Sequence, residues 1–235
     1  SLYTGYLLWG GRDSLYVLSR SVAAMGILYL PFETIPAVTL FGLALPAPRG
    51  VLMETVAAPP GLLVTAFGYP PELIVGEQGY LNTFLFFDGD HRLTVAVVLA
   101  CTGLGSIAIL AGLIAAVAAP LRRKLRALAI VVPIIYALNL LRTTFITIVF
   151  GKQYMQWFVT EIMFLFGSSD PYMVSFFISD RIISQLLAVA VLVGITYVVV
   201  REVPELLTVV EDVLYLVTGD EYDLAAQLDL ERPGV

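Results

Sequence analysis

Long apolar runs separated by short polar stretches dominate the sequence. The first run, Leu15 to Phe32, is just long enough to cross a hydrocarbon core of about 30 Å at about 1.5 Å per residue in a helix. Later apolar runs also predict helices, and these cover Leu104 to Ala119, Ala127 to Phe150 and Tyr172 to Val200. The pattern is typical of a protein that passes through a bilayer several times as α-helices.

The region from residue 33 to residue 100 breaks this pattern, because prolines interrupt apolar stretches that are too short to span a bilayer. Tyr80 to Phe87 and His91 to Leu99 are rich in β-branched and aromatic residues, and the Asp88-Gly89-Asp90 segment between them favours a turn. We predict a small extracellular cap that combines re-entrant pieces with a β-hairpin.

Basic residues indicate which ends of the helices face the cytoplasm. Short cytoplasmic loops concentrate Lys and Arg, and the segment Arg122-Arg123-Lys124-Leu125-Arg126 is therefore predicted to lie inside. The chain then runs outward, so the amphipathic stretch from Lys152 to Phe166 should lie outside or in the interface. After the last apolar run the acidic tail is cytoplasmic, and Pro204 to Leu216 can form an amphipathic helix on the inner surface.

These patterns divide the chain into four parts. They are an N-terminal segment with the first transmembrane helix (1–32), the extracellular cap (33–100), a catalytic transmembrane core (101–200) and an acidic cytoplasmic tail (201–235). The chain begins at Ser1, with no Met and no apolar leader, and we expect a trimmed or processed chain that leaves room for earlier helices.

Composition supports a membrane protein. Hydrophobic residues make up 59% of the chain, charged residues only 14%, and the mean hydropathy is +0.89. A soluble domain of this size carries about a quarter of its residues as charges. The net charge of −6 makes nucleic acid an unsuitable partner. The predicted fold class is an all-α integral membrane protein, a polytopic helix bundle with a small extracellular β-hairpin and re-entrant cap.

Two arginines inside predicted spans are candidate functional residues. An arginine near the centre of a span costs about 2.5–3.5 kcal/mol on insertion scales and usually faces a polar cavity or a partner. Arg142 lies about 23 Å above Ala127, and Arg181 lies about 30 Å above Arg201, at about 1.5 Å per residue. Both therefore reach the outer leaflet. Cys101, at the outer start of the helix that descends to the basic segment, shares this depth.

Polar neighbours on the same helices strengthen the prediction of a wet pocket near the outer surface. Asn139 is three residues before Arg142, while Ser184 and Gln185 are three and four residues after Arg181, which puts them on the same faces of regular α-helices.

Cys101 is the only cysteine, so the chain cannot form an internal disulfide. Such a residue is small packing material, a lipid-anchored thiol or a reactive thiol. Two nearby guanidinium groups would lower the thiol pKa and favour the nucleophilic thiolate. A helix N-terminus at Thr102-Gly103 would add free N–H groups that could hold an oxyanion. His91, the only histidine, is a candidate proton shuttle by type, but its place beside a turn favours a solvated hairpin residue.

Three blocks together resemble the exosortase/archaeosortase family: Ala100-Cys101-Thr102-Gly103 at a helix start, Asn139-Leu140-Leu141-Arg142 in the next helix, and Ser179-Asp180-Arg181 in the last. The resemblance is closest to the archaeosortases of haloarchaea, because bacterial members carry histidine in place of Arg181. It implies a membrane transpeptidase with Cys101 as the nucleophile, Arg142 as the activating or oxyanion-stabilising cation and Arg181 as the third member.

The resemblance also implies the partners. The substrates would be surface proteins, such as surface-layer glycoproteins, that end in a Pro-Gly-Phe motif, a transmembrane helix and a basic cluster. By analogy with sortases, a thioester on Cys101 would be resolved by an amine of a membrane lipid. Cleavage would occur on the extracellular side of the cell membrane. We predict no cofactor and no metal.

Two other classes of protein stay open on the sequence. A transporter or channel could use Arg142 and Arg181 to bind an anionic substrate. Transporters are usually built from two similar halves with paired broken helices, and no such repeat is visible in the sequence. The second of these classes is a structural membrane scaffold.

Overall fold

The computed structural model describes residues 14–40, 43–221 and 223–227, so the ends of the predicted first and last parts, residues 1–13 and 228–235, lie outside the described ranges. The helices are α1 (Ser14–Thr34), α2 (Pro48–Ala66), α3 (Leu104–Ala116), α4 (Leu121–Gly151), α5 (Val159–Phe166), α6 (Met173–Phe176), α7 (Ser184–Glu202), α8 (Leu206–Thr218) and α9 (Leu224–Gln227). The strands are β1 (Val38–Leu40), β2 (Leu43–Leu45), β3 (Glu72–Val75), β4 (Leu81–Asp88) and β5 (His91–Ala96).

The predicted apolar helices form. Within the described ranges two helical runs are long and apolar enough to cross a membrane, Leu121–Gly151 and Met173–Glu202, and α1, the predicted first span, is not one of them. The second run joins α6 to α7 through a π-helical segment, Phe177–Ile183. The amphipathic helix predicted near the C-terminus is also present, as α8.

The basic segment differs from the prediction. It was expected as a turn between two helices, but Arg122 and Arg123 belong to the first turn of α4. The carbonyl oxygen of Pro120 accepts the N–H groups of Arg123 and Lys124 at 3.0 and 3.2 Å, and the helix therefore begins directly after the proline. The turn itself is confined to residues 117–120.

The amphipathic stretch from Lys152 to Phe166 is only partly helical. Its helix, α5, starts at Val159, and the preceding residues form an irregular connection in which Gln153 and Phe158 have φ values of 52° and 50°. A left-handed backbone is incompatible with a continuing right-handed helix, so the helix cannot extend back to Lys152.

The proline-rich region contains a helix that the sequence pattern does not predict. Short pieces were predicted there, but α2 runs for 19 residues through Pro59 and Pro60. Pro48 occupies the first turn, where its missing N–H has no helical partner to lose. Met53, Ala57 and Val64 are fully buried on this helix. We attribute the helix to this tertiary packing, whose stabilisation outweighs the helical hydrogen bonds lost because the two inner prolines have no N–H.

The predicted hairpin is present as the antiparallel pair β4 and β5, with Asp88 opposite His91, and β3 pairs with the other edge of β4. β5 ends at Ala96, earlier than predicted. At that point Asn82 holds the chain by two bonds, because its carbonyl oxygen accepts from Val97 N and its side-chain amide donates to Val97 O, both at 2.8 Å. The hairpin therefore fixes the backbone at Val97, four residues before Cys101.

The described residues divide into two compact units, the first made of residues 14–31, 105–134, 193–221 and 223–227 and the second of residues 32–40, 43–104 and 135–192. The second unit contains the three-stranded sheet, α2 and the C-terminal half of α4. Its core combines side chains from these elements: Val56, Ala57, Val64, Phe84, Phe86, Leu93, Val97 and Phe150.

The first unit is held by close helix packing and by ion pairs. A Cβ atom at Gly112 of α3 would lie only 2.6 Å from the backbone oxygen of Ser21 in α1, so the two helices approach closely, as small residues such as glycine allow. Arg123 makes a bidentate pair with Glu205 at 2.6 and 3.3 Å, and Arg126 pairs with Glu202 at 3.2 Å.

Replacing Gly112 with Ala should destabilise the first unit by about 1–3 kcal/mol, because the new methyl group would push α3 away from backbone atoms that cannot rotate aside. Gly105→Ala in the same helix is the matched control, since a Cβ there meets nothing within 4 Å. Thermal unfolding in detergent should show a lower midpoint for Gly112→Ala and an unchanged or slightly higher one for Gly105→Ala. Equal midpoints would contradict the close approach.

Candidate functional site

Cys101 lies in a short 3-10 helix, Leu99–Thr102, which we call the cysteine turn. The N–H of Cys101 donates to Val98 O at 2.8 Å. Thr102 is buried, and its hydroxyl donates to Leu99 O at 2.7 Å and accepts from Leu104 N at 3.3 Å. Gly103 follows with φ of 75°, a left-handed conformation that favours glycine, and turns the chain into α3. Thr102 and Gly103 therefore shape the entry to this helix.

This geometry corrects the prediction of a helix N-terminus at Thr102-Gly103. The helix starts at Leu104, after the cysteine turn. The N–H groups of Cys101 and Leu104 are both engaged within the chain. These backbone groups are thus occupied, and side-chain cations become the better candidates for stabilising an oxyanion.

Asn139 of α4 fixes the backbone of the nucleophile candidate. Its side-chain amide donates a short hydrogen bond to the carbonyl oxygen of Cys101. Gly103 lies close to the Asn139 side chain, because a Cβ atom placed on Gly103 would be 3.5 Å from Asn139 Cβ. Asn139, predicted as a polar neighbour of Arg142, thus contacts the backbone of Cys101. Because Arg142 is three residues further along α4, it projects from the same side of the helix.

Arg142 and Arg181 are joined by a carboxylate. Arg142 Nη2 lies 2.6 Å from Asp180 Oδ1, and Arg181 Nε lies 3.6 Å from Asp180 Oδ2. The Asp180 side chain is 16% exposed, while the side chains of Arg142 and Arg181 are 36% and 63% exposed. Arg142 Nε is buried and has no hydrogen-bond partner within the described ranges. The cluster holds two positive charges and one negative charge.

The π-helical segment carries both Asp180 and Arg181. Wide turns of this kind are frequently found at functional sites. The segment also changes part of one prediction, the shared face of Arg181, Ser184 and Gln185. Arg181 and Gln185 are both exposed, but Ser184 is buried, because a π turn changes the angular position of every residue that follows it.

The Cys101 thiol contacts the apolar core of the second unit and is half-buried. Burial raises the pKa of Cys101 above its ordinary value, and the charge of Asp180 raises it further. A backbone hydrogen bond at Val98 and the charge of Arg142 lower the pKa but do not outweigh burial. The predicted low thiol pKa is therefore wrong for the resting protein. The physical reason is desolvation, together with a carboxylate that offsets the nearby guanidinium.

The raised pKa makes a direct prediction for alkylation of Cys101 by iodoacetamide. The reaction should be slow at pH 7, and its rate should still climb above about pH 8.5, where an unperturbed thiol titrates. N-acetylcysteine in the same detergent buffer provides the unperturbed reference. Because Cys101 is the only cysteine, mass spectrometry of the intact chain follows it without ambiguity. A rate plateau below pH 8 would show a depressed pKa instead.

His91 occupies the first position of β5 and stacks on Tyr172, with ring centroids 3.9 Å apart and an interplanar angle of 9°. β5 is about 16 Å long at about 3.3 Å per residue, and His91 lies at its start while the cysteine turn follows its other end along the chain. This arrangement agrees with the hairpin interpretation of His91. In the described part of the chain, the contact of the His91 ring is to Tyr172 and not to Cys101.

Asp180 is the member of the cluster to which sequence reasoning assigned no role. The signal was present, since a carboxylate inside an apolar span is costly and usually has a partner. The partner Arg142 lies 38 positions away and could not be read from local spacing. Among the described residues, no three His, Cys, Asp or Glu side chains come together as a candidate metal site.

Comparison with known proteins places this cluster in context. Residues 1–178 match the transmembrane exosortase family, a range that includes Cys101 and Arg142 and ends just before Asp180. Archaeosortase A of Haloferax volcanii is 74% identical over 231 residues, covering 98% of this chain and 76% of the relative. Archaeosortase A of Natronomonas pharaonis is 42% identical over 236 residues, covering 100% of this chain and 70% of the relative. No solved structure matches.

Proposed function

Because the chain belongs to the transmembrane exosortase family and is a sortase-like enzyme of protein sorting, we propose that it cleaves surface proteins through a thioester on Cys101. The observation that carries the proposal is one cluster in the second unit. There Asn139 holds the backbone of Cys101, and the charges of Arg142 and Asp180 act on its thiol. Arg181 joins the cluster through Asp180.

The residues have complementary roles in an acyl transfer. The Cys101 sulfur attacks the peptide carbonyl, and the negative charge that forms on its oxygen is stabilised by the Arg142 guanidinium. The C–N bond then breaks, leaving a thioester and an amine. Arginine is not a base at ordinary pH, so neither Arg142 nor Arg181 can take the thiol proton. A raised pKa keeps that proton on the resting thiol, where it is available to the leaving amine during the reaction.

The substrate and acceptor follow from the family resemblance. The substrates are surface proteins, such as surface-layer glycoproteins, whose C-terminal signal combines a Pro-Gly-Phe motif, a transmembrane helix and a basic cluster. An amine of a membrane lipid attacks the thioester carbonyl, forms an amide and releases Cys101. The product exchanges a protein anchor for a lipid anchor.

The location is a multi-pass arrangement in the cell membrane with the cluster near the extracellular side. Support comes from the two apolar helical runs and from the basic start of α4, which is expected inside. The ion pairs of Arg123 with Glu205 and of Arg126 with Glu202 join that basic start to the beginning of the acidic tail. Both are then on the cytoplasmic side, and the hairpin belongs to an extracellular cap.

An anion transporter is the weaker candidate. Its binding site would need the positive charges of Arg142 and Arg181, but a carboxylate of the chain already pairs with Arg142 at 2.6 Å. The negative charge of Asp180 between the two arginines offsets part of their attraction for a stable anionic ligand.

Intact mass spectrometry of a reporter with the C-terminal signal tests the proposed reaction. The reporter is co-expressed with the active protein or with the Cys101→Ala variant. The active protein should yield a reporter that has lost its terminal helix and gained the mass of a lipid. Loss of the helix without added lipid mass would indicate hydrolysis, and an unchanged reporter would contradict the proposed function.

A further inference from the structure

Asp180 sits between the two candidate catalytic arginines and contacts both. Its two carboxylate oxygens are divided between them, Oδ1 at 2.6 Å from Arg142 Nη2 and Oδ2 at 3.6 Å from Arg181 Nε. The contact to Arg142 is short and charge-assisted, the stronger class of hydrogen bond. Asp180 is also the least exposed of the three side chains. It is therefore the shared partner of two cations that come from different helices.

Local structure alone would not bring Asp180 and Arg181 to one place. Consecutive residues of a helix point in different directions and do not normally face each other. Here they lie in the π-helical segment, and Asp180 contacts both its sequence neighbour and a residue of α4. The contact fixes the direction of the Arg142 side chain, whose Nε is buried without a partner of its own in the described part of the chain.

The same carboxylate opposes the chemistry that the arginine would promote. The charge of Arg142 lowers the pKa of the Cys101 thiol, whereas the charge of Asp180 raises it. Glu54 lies on α2, which packs against the cysteine turn, but its carboxylate accepts Leu81 N at 3.0 Å, and the thiol pKa is not shifted by it. Asp180 thus makes the thiol less reactive while it holds the guanidinium in place.

We propose that Asp180 is a positioning residue that orients Arg142 and Arg181 for oxyanion binding and sets its own negative charge against the Cys101 thiol. This inference rests on the proposed function. It requires that removal of the carboxylate changes two properties in opposite directions. Thiol reactivity should rise, because a negative charge is lost, and peptide turnover should fall, because the arginines are no longer held.

The test compares Asp180→Asn with Asp90→Asn, the same chemical change at an exposed residue of the hairpin turn. Alkylation of Cys101 by iodoacetamide is measured from pH 6 to pH 10 in the purified full chain, and reporter processing is followed as a time course. For Asp180→Asn we expect the alkylation profile to move to lower pH, with a several-fold faster reaction at pH 7. Processing should fall at least about tenfold. Asp90→Asn should match the unmodified chain in both assays.

Asp180→Glu keeps the carboxylate one methylene further out and should recover part of the processing rate with an alkylation profile close to the original. Thermal unfolding in detergent confirms that each variant is folded. A loosened fold would also expose the thiol and speed its alkylation, so a lowered unfolding midpoint in Asp180→Asn would overturn the inference. Slower processing with an unchanged alkylation profile would overturn it as well. Unchanged processing in Asp180→Asn would overturn it too. The alkylation profile needs no substrate, so a parent chain that processes no reporter would defeat the proposed function while the profile still tests Asp180.

Discussion

Cys101→Ser should abolish reporter processing, with a loss of roughly 10⁴-fold or more, while expression and membrane insertion stay normal. A serine hydroxyl needs a strong base nearby, and the cluster around Cys101 offers two arginines and an ion-paired carboxylate instead. The change is nearly isosteric, and the hydrogen bond from Asn139 goes to the main-chain carbonyl, which the substitution keeps. Time courses of reporter cleavage in cells, with immunodetection of the enzyme in membranes, measure both parts of this expectation.

A relocated thiol provides the matched control. Ser106 is exposed on α3, one helical turn beyond the cysteine turn. Ser106→Cys alone should process the reporter normally, and the double variant Cys101→Ser, Ser106→Cys should stay inactive although it again has one thiol. Cys101→Ala separates the enzyme from the anion transporter, because a binding site made by Arg142 and Arg181 should survive the loss of a thiol. Retained processing in Cys101→Ser would remove Cys101 as the nucleophile.

Arg142→Lys should lower the processing rate by about 10²–10³, the usual cost of losing one oxyanion donor. Arginine can keep its contact to Asp180 through Nη2 and still present other N–H groups of the same plane to a substrate oxygen. Lysine has one nitrogen on a flexible stem, so it cannot do both with the same geometry. The rate must come from time courses, since an end-point assay would hide a hundredfold loss.

Arg181→Lys should be less severe, because Arg181 is 63% exposed and lies 3.6 Å from the carboxylate. Arg122→Lys, an exposed position at the start of α4, is the control for the same exchange elsewhere and should have no effect on processing. If both Arg142→Lys and Arg181→Lys worked at full speed, the arginines would be structural residues that keep their charge near water. That outcome would leave the role of Cys101 untouched.

Local patterns in the sequence were sufficient for much of the fold. The helical runs that end at Gly151 and Glu202 follow from the length and apolarity of their segments, and the hairpin follows from two β-rich stretches around Asp88-Gly89-Asp90. Close packing at Gly112 also agrees with a helix rich in small residues. These features depend on residues that are neighbours along the chain, which is why periodicity and turn chemistry can predict them.

The sequence also pointed to Cys101, Arg142 and Arg181 as a site. An arginine inside an apolar segment is energetically costly, and a single cysteine is a candidate reactive thiol. It could not supply the sign of the thiol pKa shift. That sign depends on how much water the fold removes from the sulfur and on Asp180, which reaches Arg142 from 38 positions away. Desolvation and charge pairing are properties of three-dimensional contacts, and only the tertiary structure brings those contacts together.

The continuous helix through Pro59 and Pro60 and the π-helical segment around Asp180 have the same origin. Each departs from the regular structure expected of its residues. α2 is held by packing in the core of the second unit, and the π-helical segment packs on Ile162 of α5 and pairs Asp180 with Arg142. By itself the sequence determined a membrane protein with apolar helices, a hairpin and three candidate site residues. The tertiary structure decided which carboxylate joins the arginines and how far the thiol is withdrawn from water, because both follow from contacts between residues far apart in the chain.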